Sequence, residues 1–343
     1  MPKGEYLQYG GQAIVEGVMM RSPHWFSVAC RAPNGELVVH TEHLDKTWIG
    51  RQKWLKWPFL RGSLALLETM GLGVRAMRFA TKIQMDPVYA EQVAEEVPPR
   101  GPVNTAPRPM NNKVQDMTIG FTMVISLGIG VLLFNYLPNL LSENLHGRGV
   151  SPTGINFVTE VIKICIFLGY MWGIGHLPDI RRVFQYHGAE HKAINAMEAD
   201  RPLTIPETAA QTRLHPRCGT SFAIIVLLVS MVVFTFVPRY LFGEDKSYFF
   251  NATARFFVEL LVLPIISGIA YEIIRIAGKF KNSATVRTLL WPGLMSQYLT
   301  TREPDDSQME VALAALKAVV REETGHQEAN VETIALESAP LPG

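Results

Sequence analysis

Two short motifs hold the residues best suited to chemistry. HGAEH places His187 and His191 at i and i+4. On a helix those two imidazoles share a face and can grip one metal ion. Further on, HPRC places His215 and Cys218 three apart, close enough for a short turn to bring both onto one ion. The combined pattern is H-x3-H-x23-H-x2-C, four nitrogen and sulfur donors of the kind zinc prefers. In the competing reading, some of the four cap helices or contact lipid phosphate.

The first motif is also H-x-x-E-H, the reversed form of the zinc-peptidase motif. Glu190 is then the general base and a metal-activated water the nucleophile. Ligand number separates two roles. If His187, His191, His215 and Cys218 all bind, the shell is closed and structural; if three bind, a water position opens. Two further carboxylates are candidates for the same site. Glu272 lies at the end of the last apolar stretch, and Glu16 lies in GGQAIVEGVMMR. Each is as readily an ordinary ion-pair partner, with Arg21 and Arg275 nearby in sequence. The Gly10, Gly11 pair and Gly17 suggest close backbone approach around Glu16.

The chain must present these residues in an unusually apolar setting. Of 343 residues 48% are hydrophobic and only 18% charged, below the roughly 25% of soluble domains. The net charge of +1 offers no basic field, so specific nucleic-acid binding is not expected. Three separated cysteines (Cys30, Cys165, Cys218) cannot build a disulfide framework. The opening MPKGEYLQYGGQ has no apolar core, so no signal peptide is expected.

The apolar residues cluster. Met117–Ser142 and Cys218–Pro238 are uncharged and long enough to cross a bilayer as helices. Phe157–Leu177, with Glu160 and Lys163, and Phe256–Ala277, with Glu259, Pro264, Glu272 and Arg275, are long enough but must place their charges at the ends or against protein. Lys163, Glu259 and His176 read as span-end residues that snorkel or pair. Lys and Arg are dense in 178–217 and after the fourth span, and sparser in 143–156 and 239–255. The expectation is therefore a multi-pass inner-membrane protein in a lipid bilayer. Both termini and the 178–217 loop, which carries the metal-type residues, are expected in the cytoplasm.

The fold class read from this is an α-helical polytopic membrane protein of about four transmembrane helices with a small β-containing N-terminal unit. Residues 1–96 are that cytoplasmic unit. Gln12–Met20 is apolar-rich, and Trp25–Arg31 and Glu36–Glu42 flank the turn signal Pro33, Asn34, Gly35. Thr47–Ala80 reads as a helix, either interfacial, with Trp48, Trp54, Trp57 and basic residues beside an apolar face, or packed on the β unit. Residues 97–113 read as a proline-rich linker, 114–282 as the transmembrane region, 283–323 as a C-terminal helical segment and 324–343 as a disordered tail. Within the C-terminal segment, Pro304–Glu323 starts with acids, has helical apolar spacing and carries Lys317 and Arg321 toward its end, a well-signalled helix.

GGQAIVEGVMMR, HGAEHKAINAME, HPRCGTSF, SGIAYEIIR and LTTREPDD resemble the signatures of the YqhQ-like family, domain of unknown function 1385, in that family's order. The resemblance runs from about Tyr9 to Ala318. It implies a bacterial multi-pass membrane protein and the label of a metal-dependent enzyme, with no defined reaction. Three functions follow as expectations. The first is a zinc-type site, or one for another divalent metal, supporting hydrolysis at the membrane surface. The second is a non-catalytic scaffold with a structural metal, able to serve membrane-protein biogenesis. The third, ranked last because charges within the spans are few, is transport.

Overall fold

The computed structural model describes residues 9–44, 60–86, 88, 121, 124–240, 243, 247–279 and 284–325. The 97–113 linker, Trp48, Trp54 and Trp57, and the tail after Gly325 lie outside these residues.

The N-terminal β unit is a four-stranded antiparallel meander: β1 (Gly10–Ile14), β2 (Gly17–Arg21), β3 (Trp25–Arg31) and β4 (Leu37–His43), paired in chain order. The stretch Gln12–Met20 is not one element. It folds back at Val15–Glu16, where Glu16 takes φ 51°. That left-handed conformation costs a side-chain-bearing residue about 1–2 kcal/mol. Alternation along the strands separates two apolar faces. Val18, Met20 and Ala29 face one way; Met19, Phe26, Val28 and Cys30 face the other.

Helices cover both faces. On one lies α1 (Leu60–Met85), which buries Leu72, Ala76, Ala80 and Ile83, a stripe at helical spacing. On the other lie α4 (Pro178–Glu198) and the last helix, α9 (Asp306–Glu323). Asp305 caps α9 with a capping box: its carboxylate accepts from the Gln308 N–H at 2.9 Å and Gln308 Oε1 accepts from the Asp305 N–H at 3.0 Å. Val311, Leu313, Leu316 and Val319 are buried along α9, each contributing roughly 1.5–3 kcal/mol. Ser27 in β3 donates to the Ala315 carbonyl at 2.6 Å, and Glu323 accepts from the Ser22 hydroxyl at 2.6 Å and the His24 N–H at 3.2 Å. The far ends of the chain thus share one core.

Between them run four helices long and apolar enough to cross a membrane: α2 (Val124–Glu143), α3 (Pro152–Ile174), α6 (Gly219–Phe236) and the 249–275 stretch of α7 (Tyr248–Lys279). The short α5 (Ile205–Ala209) and α8 (Ala284–Thr300) complete the fold, with α8 packed along α6. Lys163 and Glu259 are not end residues. Helices α3 and α7 begin earlier than the hydropathy pattern indicates, at Pro152 and Tyr248, and this moves both charges to mid-helix. There Lys163 bridges Glu160 (3.0 Å) and Glu259 (2.7 Å). Arg255 lies 3.3 Å from Glu259 and 3.5 Å from Glu160, and donates to Asn156 at 2.7 Å. Asn135, in a π-helical turn of α2 (Leu132–Tyr136), donates to Glu259 at 3.0 Å. Two cations and two carboxylates thus balance across α3 and α7, with an amide joining from α2.

Removing one member leaves the others uncompensated. Lys163→Met should destabilise the protein by about 3–5 kcal/mol, read from unfolding of the purified protein. A variant as stable as wild type would show that the quartet contributes nothing to the fold. The α9 contacts also predict an acid sensitivity. Burial opposes ionisation of Asp305 and Glu323. Hydrogen bonds from Ser307 and the Gln308 N–H at Asp305, and from Ser22 and His24 at Glu323, outweigh it and hold both carboxyls below their usual range. Their stabilisation is therefore full above about pH 4 and is lost as pH falls through the lowered folded values. Glu323→Gln should flatten the dependence of unfolding on pH in that acid window.

Candidate metal centre

Helix α4 carries His187, Glu190 and His191 on one face. Cys218 is the N-cap of α6, its Sγ accepting from the Thr220 N–H at 3.4 Å. The return segment between the two helices is tied down at several points. Asn195 donates to the carbonyls of Thr212 (2.7 Å) and Leu214 (3.1 Å), and Lys192 to that of Ala209 (2.8 Å). From α8, Gln297 accepts from the His215 N–H at 2.8 Å and donates to the His215 carbonyl at 2.6 Å. These bonds bring Cys218 back to α4.

The donor atoms of His187, His191 and Cys218 lie within 4.8 Å of one another. His187 Nε2 is 3.2 Å from Cys218 Sγ, and the two imidazole centroids are 4.4 Å apart. Tetrahedral zinc with ordinary bond lengths separates its ligand atoms by about 3.3–3.7 Å, so small adjustments would close the triad on an ion. The ring tautomers also suit metal. A carbonyl can only accept, so His187 Nδ1–H donates to Thr300 (2.8 Å) and His191 Nδ1–H donates to Arg213 (2.6 Å). Each Nε2, when it carries no proton, is then the ring atom left to bind an ion. His191 Nε2 is buried there with no hydrogen-bond partner. An orphaned acceptor beside a second imidazole and a thiol is the observation that an ion would explain.

The electrostatics agree. Burial opposes charge on Cys218, but His187 and His191 outweigh it and hold the thiol well below its ordinary range. Burial likewise opposes the His187 imidazolium, yet the adjacent Cys218 thiolate lifts it to about 9. This is a thiolate–imidazolium arrangement poised to exchange its proton for a cation. Glu190 sits at the rim, Oε2 4.0 Å from both Nε2 atoms, with its carboxyl pushed up by burial and partly restrained by the Gly11 N–H.

The other expected residues stand apart from this triad. The His215 ring lies 5.7 Å from that of His191; its Nε2, also buried without a hydrogen-bond partner, faces Glu198 at 3.5 Å, and Glu198 also pairs with Arg217. Burial pushes its imidazole down to about 4. Glu16 pairs with Arg182 rather than Arg21 and accepts from the Tyr186 hydroxyl at 3.2 Å, which fastens the β1–β2 turn to α4. Glu272 lies 3.8 Å from Arg275.

The motif reading passed over several backbone contributions. Thr300 and Arg213 orient the imidazoles through carbonyls, which carry no side-chain signal. Gly188 presses against the Arg302 carbonyl, leaving no room for a Cβ, and the Arg302 N–H bonds to Phe184 at 2.8 Å. That contact brings the 300–302 strip within reach of His187. A Cβ on Gly11 would fall 2.8 Å from Glu190 Cγ and 2.7 Å from the Met19 carbonyl. The doubled glycine of GGQ was the visible sign of that approach.

The molecule is thus a mostly helical protein with four helices of membrane-crossing length and a buried His–His–Cys group beside a carboxylate. It belongs to the family described as a protein of unknown function (DUF1385), whose model matches residues 57–322. Over 325 residues it is 32% identical to the uncharacterized protein YqhQ of Bacillus subtilis (strain 168), covering 91% of this chain and 92% of that protein. No solved structure matches it.

Gly188→Ala should move the Arg302 strip away from α4 and release the Thr300 carbonyl from His187. Expected are a lowered unfolding temperature and weakened binding of added zinc, measured side by side. Unchanged values for both would mean that the strip does not position His187.

Proposed function

We propose that this protein is a bacterial inner-membrane protein with a divalent-metal site, zinc in preference, on its cytoplasmic face, and that it is a hydrolase acting at the membrane surface. The carrying observation is the buried, unbonded His191 Nε2 aimed at His187 Nε2 and Cys218 Sγ. Four apolar helices and the weight of Lys and Arg in 178–217 support the membrane placement. His187, His191 and Cys218 would hold the ion. The grouping of donor atoms from His187, His191 and Cys218, with His215 Nε2 lying beside Glu198, favours three protein ligands over four, the arrangement that keeps a position open in catalytic sites. When bound, the ion supplies Lewis acidity and a water acidified toward neutral pH. Glu190, 4.0 Å from both Nε2 atoms, is placed to take a proton from a nucleophile and return it to a leaving group. The Gly11 N–H orients its carboxylate.

A second reading, a non-catalytic scaffold with a structural ion, draws support from the burial of His191 and Glu190 and from the placement of the candidate ligands on α4 and at the start of α6. Metal analysis of detergent-purified protein tests the shared premise: the wild type should carry one equivalent, His191→Ala and Cys218→Ala far less. Glu190→Gln then separates the readings. It should retain the metal and lose hydrolysis of the substrate class found by screening. X-ray absorption should show two nitrogen donors, one sulfur and one exchangeable oxygen. A closed shell of four protein ligands would establish the scaffold instead. A protein free of metal after purification and zinc addition would remove both.

A further inference from the structure

Helix α1 has two apolar faces where a surface helix needs one. Leu72, Ala76, Ala80 and Ile83 pack on the sheet. Half a turn around the helix, Leu67, Met70, Val74 and Met77 follow at spacings of three, four and three and form a second stripe. They are 40–58% exposed, with Met85 continuing the line. Among the described residues nothing covers this stripe. Arg78 and Lys82 lie exposed along one flank. A second stripe of this length is costly in water, at roughly 25 cal/mol for each Å² left exposed.

The position of α1 indicates what covers it. The helix packs against α7, whose own outward residues Phe257, Leu260, Leu261 and Ile265 are exposed apolar groups on a helix of membrane-crossing length. The stripe on α1 therefore belongs to a helix braced directly against one with a lipid-type surface, and its basic flank suits anionic headgroups. The geometry points to α1 as an in-plane anchor, its outer stripe seated in the headgroup and upper acyl layer of the bilayer that holds α7. This rests on the membrane placement proposed above.

The anchor has a consequence for the metal centre. Gly73 of α1 closes tightly on the Gln12 side chain of β1, and the next residue in that strand, Gly11, supplies the N–H that bonds Glu190. From lipid to Glu190 the path is one helix and one strand. A helix seated in the interface thus fixes the site wall at a set distance from the bilayer surface, where a membrane-associated substrate would meet it.

The test uses the full chain in lipid nanodiscs, with exposed Cys165 replaced by Ser and buried Cys30 and Cys218 retained. Bimane is attached singly at Val74→Cys, Met77→Cys, Leu261→Cys on α7 and Glu36→Cys in the exposed β3–β4 turn. Doxyl-labelled phospholipid and aqueous iodide serve as quenchers. Doxyl lipid should quench bimane at Val74 and Met77 to an extent close to that at Leu261, while iodide quenches only at Glu36. Strong iodide quenching at Val74 and Met77, with Leu261 still quenched by lipid, would overturn the anchor and leave the membrane placement standing. Quenching by neither reagent at those two positions would also overturn it, since protein would then cover the stripe. Absence of lipid quenching at Leu261 would defeat the membrane placement itself.

Discussion

Two hydrogen bonds, from the Nδ1–H groups of His187 and His191 to the carbonyls of Thr300 and Arg213, set the geometry of the candidate metal centre. They set the tautomer of each ring, and the tautomer sets where each lone pair points. Both acceptors are main-chain atoms, Thr300 at the C-terminal end of α8 and Arg213 in the irregular return segment, so they stay in place only if those parts of the chain do. Much of the half that carries the candidate site can be understood from that need. Gln297 and Asn195 grip the backbone around His215, and the contact of Gly188 with Arg302 holds the strip after α8. The Gln297 amide satisfies the buried His215 carbonyl, which would otherwise be orphaned at a cost of roughly 1–3 kcal/mol.

The apolar half faces the complementary problem. Its helices are too hydrophobic to need charge, yet α3 and α7 carry two charged residues each at mid-helix. Within α3 the pair is Glu160 and Lys163; within α7 it is Arg255 and Glu259. Each of these two pairs is neutral by itself before the helices meet. The contact between Lys163 and Glu259 then links them, and Asn135 adds α2 through its π-helical turn. Such a quartet is a weak source of net stability, because the desolvation of four charges offsets most of their attraction. Its clearer effect is on register: a one-residue slip of either helix would separate Lys163 from Glu259 and Arg255 from Glu160.

The sheet joins these halves. One face belongs to α1 and the other to α4 and α9, so the β unit lies between the helix braced on α7 and the helix bearing the histidines. The strained Glu16 at the β1–β2 turn fits this role. Its left-handed backbone turns the carboxylate toward Arg182 and Tyr186, so a local cost is offset by a tertiary tie to α4.

Local patterns carried a good deal of this. The i, i+4 histidines on a helix, the β unit with its turn at Pro33–Gly35, the capped C-terminal helix and the apolar stretches were all legible, because each depends on periodicity or capping within a few residues. Hydropathy placed the helix starts poorly, since polar residues such as Asn156 and Asn251 end a hydrophobic run without ending a helix. The site was legible only in its residue types. Spacing alone admitted His215 beside His187, His191 and Cys218, and it could not foresee that Glu198 would engage that ring. Nor could it reveal that carbonyls of Thr300 and Arg213, or the N–H of Gly11, would orient the side chains, because every residue type offers the same backbone groups. Composition thus determined the apolar helices and the inventory of donors. Convergence of those donors was decided by tertiary packing, since the orientation of each imidazole depends on a carbonyl well outside its own motif, Arg213 for His191 and the far more distant Thr300 for His187.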